Sequence, residues 1–166
     1  MANVLIAYDG SGSTGNHPFY HKQTQRIVSQ YPDAQILFWD DKHRLISHKE
    51  LCEINAAEQG FGGTDSEQIA MYIAKANFHG HLVIITDGQV SGIDRCAAHV
   101  PPSWKFESVA AHLIGYRHSV NMSVSCPFTR CSPHTIYTYF ADMCYERQQA
   151  TQVSQEDLDS LQLIQK

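Results

Sequence analysis

Apolar residues come in short unbroken runs, and stretches of helical periodicity separate them. Residues 4–8 are apolar throughout and read as a buried strand that stops at Asp9. The pattern then turns helical, with Tyr20, Thr24, Ile27, Val28 and Tyr31 on one face and Pro32 closing the helix. Residues 34–39 form a second strand. Asp40-Asp41-Lys42 turns it back into a short partner at 43–47, so 34–47 predicts a hairpin. Residues 48–59 are weakly helical around Leu51, Ile54 and Ala57. Thr64 opens a clearer helix carrying Ile69, Tyr72, Ile73 and Ala76, and Thr64 with Glu67 matches a capping box. The strongest buried strand is 81–86, which ends at Asp87-Gly88. A short helix at 91–99 and strands at 108–116 and 120–126 follow. Ser132-Pro133 then caps a last helix bearing Ile136, Tyr139, Phe140, Met143 and Cys144.

Strands alternating with helices predict an α/β fold: a doubly wound, mostly parallel six-stranded sheet, helices on both faces. The hairpin supplies one antiparallel edge strand. The pattern predicts a single domain over residues 1–149 and a polar tail over 150–166, where Leu158, Leu161 and Ile164 make one thin apolar stripe. With 166 residues and 43% hydrophobic content, the chain can bury a core of ordinary size.

Charge narrows the possible partners. The net charge is −5 and there is no Lys/Arg run, so no nucleic acid is expected as a partner. No apolar stretch has membrane-spanning length, and the chain enters strand-like sequence at once with no signal-peptide pattern. Five scattered cysteines do not make a disulfide framework. A cytoplasmic protein without membrane association is expected.

The chemistry lies at the loops. Asp9-Gly10-Ser11-Gly12-Ser13 follows the first strand and offers a carboxylate and two hydroxyls on a glycine-freed loop. Alone, it reads as a polar turn, which uses the same residues. In a doubly wound sheet, however, ligands bind outside the carboxyl ends of the strands. Two further loops carry oxygens: Gly62-Gly63-Thr64-Asp65 at a helix start, and Ile85-Thr86-Asp87-Gly88 after the strongest strand. If the first and fourth strands are neighbours, Asp9 and Asp87 leave adjacent strand ends. Hard cations favour such a set of oxygens.

Asp-x-Ser-x-Ser, Gly-Gly-Thr-Asp and Ile-Thr-Asp-Gly, in that order, resemble the von Willebrand factor A family, its intracellular branches in particular. The resemblance covers roughly residues 3–145 in the order of elements, on the α/β frame. It implies a Rossmann-like fold with a metal-ion-dependent adhesion site. By this resemblance Ser11 and Ser13 ligate the metal through their hydroxyls. Thr64 ligates directly or through water, and Asp9 and Asp87 act mainly through water. The implied ion is Mg2+, or Mn2+ or Ca2+ in its place. The implied function is protein–protein interaction, as an adaptor or assembly factor, with an Asp or Glu of the partner completing the octahedron.

Two other readings remain. One is a magnesium-dependent hydrolase or phosphotransferase with Asp9 as nucleophile. Such an enzyme needs a second carboxylate two positions on, and that position is Ser11. The other is a metal-free structural subunit. Cys126, Cys131, His134 and Cys144 are spaced more loosely than structural zinc ligands and are expected as ordinary cysteines and a histidine. His17 and His21 are expected as surface or helix-start residues, and His79 and His81 as solvent-facing at the end of the sheet opposite the metal.

Overall fold

The computed structural model describes residues 3–11, 18–57, 63–116, 122–141 and 151–153. Seven strands form one sheet: β1 (Val4–Asp9), β2 (Gln35–Trp39), β3 (His43–Ile46), β4 (His81–Thr86), β5 (Ser108–Gly115), β6 (His134–Phe140) and β7 (Thr151–Val153). Their order is β3-β2-β1-β4-β5-β6-β7. The pairs β1–β2, β1–β4, β4–β5 and β5–β6 are parallel, whereas β3 and β7 pair antiparallel at the two edges. The expected α/β sheet is therefore present, with a short seventh strand in what the sequence presented as a polar tail.

Helices cover both faces. Val4, Ile6 and Tyr8 of β1 pack with Ile36, Phe38, Val83 and Ile85 against Tyr20, Ile27 and Val28 of α1 (Pro18–Val28) and Leu51 of α2 (His48–Ala57). Leu5 and Ala7 point the other way. With Leu37, Trp39, Leu82 and Ile84 they pack against Ile69, Ala70 and Ile73 of α3 (Glu67–Ala76). The period-2 alternation thus feeds two separate cores. A 3-10 helix, Ile93–Ala98, adds Cys96 to the second core.

Two elements differ from the sequence expectation. Residues 120–126 do not form a strand: a 3-10 turn, Met122–Ser125, leads into the short α4 (Cys126–Thr129). Residues 134–140 form β6 rather than a helix. The hydroxyl of Ser132 does not cap a helix there; it accepts a hydrogen bond from the Phe106 backbone N–H at 2.8 Å. The run Thr135-Ile136-Tyr137-Thr138-Tyr139-Phe140 is β-branched and aromatic throughout, which favours a pleated strand over a helix.

Candidate functional site

In this strand order the chain winds outward in opposite directions from β1 and β4, so the topological switch point lies between them. That is where open α/β sheets bind ligands, outside the carboxyl ends of the strands. Asp9 ends β1 and Asp87 follows β4 directly. Both are buried, at 0% and 2% exposure.

The Asp9 carboxylate is held from two sides. Oδ1 accepts the Ser11 backbone N–H at 2.9 Å, closing a two-residue turn that brings Ser11 to 0% exposure beside it. Oδ2 accepts the Thr86 hydroxyl at 2.6 Å across the β1–β4 pair. Thr86 Oγ1 in turn accepts the Gly88 N–H at 3.0 Å, and Asp87 Oδ1 accepts the Gln89 N–H at 3.0 Å. Behind them the buried Tyr20 of α1 donates its hydroxyl to the Asp9 carbonyl at 2.7 Å and also lies 3.3 Å from the Ile85 carbonyl. Helix α1 is thereby anchored to the ends of both central strands.

The Thr64 loop arches over the end of β1. Asp65 N–H donates to the carbonyl of Asp40, just past β2, at 2.9 Å. The Thr64 carbonyl accepts both the backbone N–H and the hydroxyl of Ser91, at 2.9 and 2.6 Å. Ser66 returns two bonds to the Ser91 carbonyl. Because β2 and β4 flank β1, these ties place Thr64, half-buried, beyond the carboxyl end of β1. Outside this loop Arg95 clamps Asp65 and Glu67, at 3.1 and 3.0 Å. Glu67 also meets His99 at 2.9 Å. The expected capping box does not form: α3 begins at Glu67, and Asp65 Oδ1 takes the Glu67 N–H.

Electrostatically the two carboxyls oppose one another's ionisation. Burial pushes the Asp9 carboxyl up to about 7, the neighbouring Asp87 charge adds to this, and the hydrogen bonds from Thr86 and Ser11 oppose it. Two carboxylates and two hydroxyls are hard oxygen donors, with no thiolate or imidazole in the set. They fit Mg2+, Mn2+ or Ca2+ in kind. Among the described residues no group of three or more His, Cys, Asp and Glu that could hold a metal ion is found. A cation here would therefore depend on the hydroxyls.

Of the five residues read from sequence, Asp9, Ser11 and Asp87 stand at the switch point and Thr64 on the loop arching over it. Ser13 lies outside the described residues, as do His17 and Cys144. His21 is not at the surface: it is buried, with its ring edge-on to Tyr20 at 5.7 Å. His79 is exposed and His81 half-buried, the latter paired with Glu107 at 2.8 Å. Sequence reasoning passed over Thr86, Tyr20 and Ser91. Thr86 was within reach, since strand alternation puts it on the same face as Asp9. Tyr20 and Ser91 act through contacts distant in sequence and leave no local signal.

The molecule is thus a doubly wound α/β protein with a buried acidic switch point. No family model matches the sequence, and no curated protein matches it significantly. Among solved structures it is similar to the Ro (RSR) protein of Deinococcus radiodurans, at 20% identity and a TM-score of 0.48. The match covers 81% of this chain and 31% of that one, so the chain spans about a third of that protein's length. No helix among the described residues is long and apolar enough to cross a membrane.

Proposed function

We propose that this chain is a divalent-cation-dependent interaction module of the von Willebrand A type. It binds a partner protein through an acidic side chain. The observation that carries this reading is the placement of Asp9 and Asp87, both buried, at adjacent strand ends on the switch point, with Ser11 beside them and the Thr64 loop above. Ser11, Ser13 and Thr64 hold the cation, Mg2+ foremost. Asp9, already engaged by donors from Ser11 and Thr86, orients the hydration shell, and Asp87 balances charge. A bound cation lets the two carboxylates remain ionised together. With few direct carboxylate ligands it stays electron-poor and accepts an Asp or Glu from outside.

Binding fits the residues better than turnover. A strand-end aspartate nucleophile needs an acid/base carboxylate two positions on, and Ser11 stands there with its backbone turned back onto Asp9. The test is titration calorimetry with Mg2+ on the native chain and on Ser11→Ala and Asp87→Ala. A companion pull-down compares Mg2+ with chelator. Saturable binding lost in both variants, with a partner retained only in Mg2+, is expected. Absence of binding, or equal binding in all three proteins, rejects the reading.

A further inference from the structure

At their carboxyl ends β2, β1 and β4 present a row of side chains on the α3 face. Asp9 lies opposite Trp39 in register, and Thr86 follows Ile85, the partner of Tyr8. Leu5 and Ala7 share one core with Leu37, Trp39, Leu82 and Ile84, so strand alternation puts Trp39, Asp9 and Thr86 side by side on that face. The Gly10 N–H donates to the Trp39 carbonyl at 3.0 Å, holding the two strand ends together. On one side of Asp9, Thr86 supplies a donor. On the other stands an indole whose Nε1–H is buried and has no hydrogen-bond partner among the described residues. Trp39 itself is 0% exposed. A buried donor left unmatched costs about 1–3 kcal/mol, and a buried indole N–H ordinarily finds an acceptor.

We propose that Trp39 is a positioning residue of the cation site: its indole N–H is a further donor to the Asp9 carboxylate, beside those of Ser11 and Thr86, through one internal water. The inference rests on the cation reading above. The water accepts from Nε1–H and donates to Asp9, the arrangement by which interior waters satisfy buried polar groups. Asp9 then has the N–H and hydroxyl of Ser11, the Thr86 O–H and the Trp39 relay around it. These fix its orientation toward the hydration shell of the ion, as outer donors do for metal-ligating carboxylates. A benzothiophene ring fills nearly the same space without the donor, which makes the contribution separable from packing.

The chain has two tryptophans, and the second is an internal control. Trp104 Nε1–H already donates to the Phe78 carbonyl at 2.8 Å. Two measurements test the proposal. First, Trp39 is replaced by benzothienylalanine, which keeps the ring shape and exchanges N–H for sulfur, and Mg2+ binding is measured by calorimetry. Affinity roughly tenfold weaker is expected, the low end for loss of an outer-shell partner. Second, the indole N–H resonances of nitrogen-labelled protein are followed during Mg2+ addition and in Asp9→Asn. The Trp39 signal is expected to move in both cases and the Trp104 signal in neither. Unchanged affinity in the analogue, or a Trp39 signal indifferent to both perturbations, overturns the role of Trp39 and leaves the cation reading standing. A native chain that does not bind Mg2+ overturns both.

Discussion

The Thr86 hydroxyl donates to Asp9 Oδ2 at 2.6 Å, a bond between the last residues of two neighbouring parallel strands. It ties the two sides of the switch point together, and the same oxygen receives the Gly88 N–H. Thr86→Val keeps the shape and deletes both interactions. Stability should fall by about 1–3 kcal/mol, because a buried acceptor and a buried donor lose their partner. Cation affinity should fall with it. Thermal melts and calorimetry on the same preparation check both effects.

Asp9 should destabilise the cation-free protein at alkaline pH. Its folded-state proton affinity, pushed up to about 7 by burial and by the Asp87 charge, lies above the ordinary 3.8. The associated stability is fully present below 3.8 and lost as pH rises through 7. In chelator, Asp9→Asn should therefore melt higher than the native chain at pH values above that range, and the advantage should shrink on acidification. Saturating Mg2+ should reverse the order, since only the native chain has the carboxylate. Melts at several pH values, with and without Mg2+, read this directly.

His112 sets a second pH dependence of opposite sign. Its ring is 5% exposed, stacks on Tyr137 at 4.7 Å, and Nδ1 lies 2.8 Å from the Tyr139 hydroxyl. Burial lowers its proton affinity from 6.5 to about 4. The stability is present above 6.5 and is lost as pH falls through 4. The loss is on the order of 3 kcal/mol. His112→Phe should flatten this part of the acid denaturation profile while leaving Mg2+ binding unchanged.

Gly10 cannot carry a side chain without movement around it. A Cβ there would sit 2.1 and 2.3 Å from Cε2 and Cζ of Phe38, a ring itself only 5% exposed. Gly10→Ala should cost about 1–3 kcal/mol, as overpacking does. Phe38→Leu in the same chain should return part of it, which a denaturant series would detect.

Legibility in the sequence followed the range of the forces involved. β1 and β4 were plain because residues buried on both faces read as continuous apolar runs, and α1 and α3 because one face of each is apolar. β6 was misread because Ile136, Tyr139 and Phe140 fall at helical spacing by chance and Ser132-Pro133 imitates a helix start. The pleat is decided by pairing with β5, 27 residues or so away in the Tyr139–His112 bond. At the site, Asp9 and Asp87 were legible from strand ends alone. The ties that set Thr64 over them depend on Ser91 and Asp40, which only the folded chain brings within reach.

The clamp at Arg95 divides the chain in a way the continuous sheet conceals. Every candidate oxygen lies at or before residue 87, and the side chains bracing the Thr64 loop from outside end with Ser91, Arg95 and His99. Among the described residues, β5 and β6 supply none of them. A recombination junction at Pro101-Pro102 would thus keep every candidate ligand on one parent. Chimaeras joined there should keep the ion preference of their first parent, and much of its packing, since most residues of the two large cores also precede the junction.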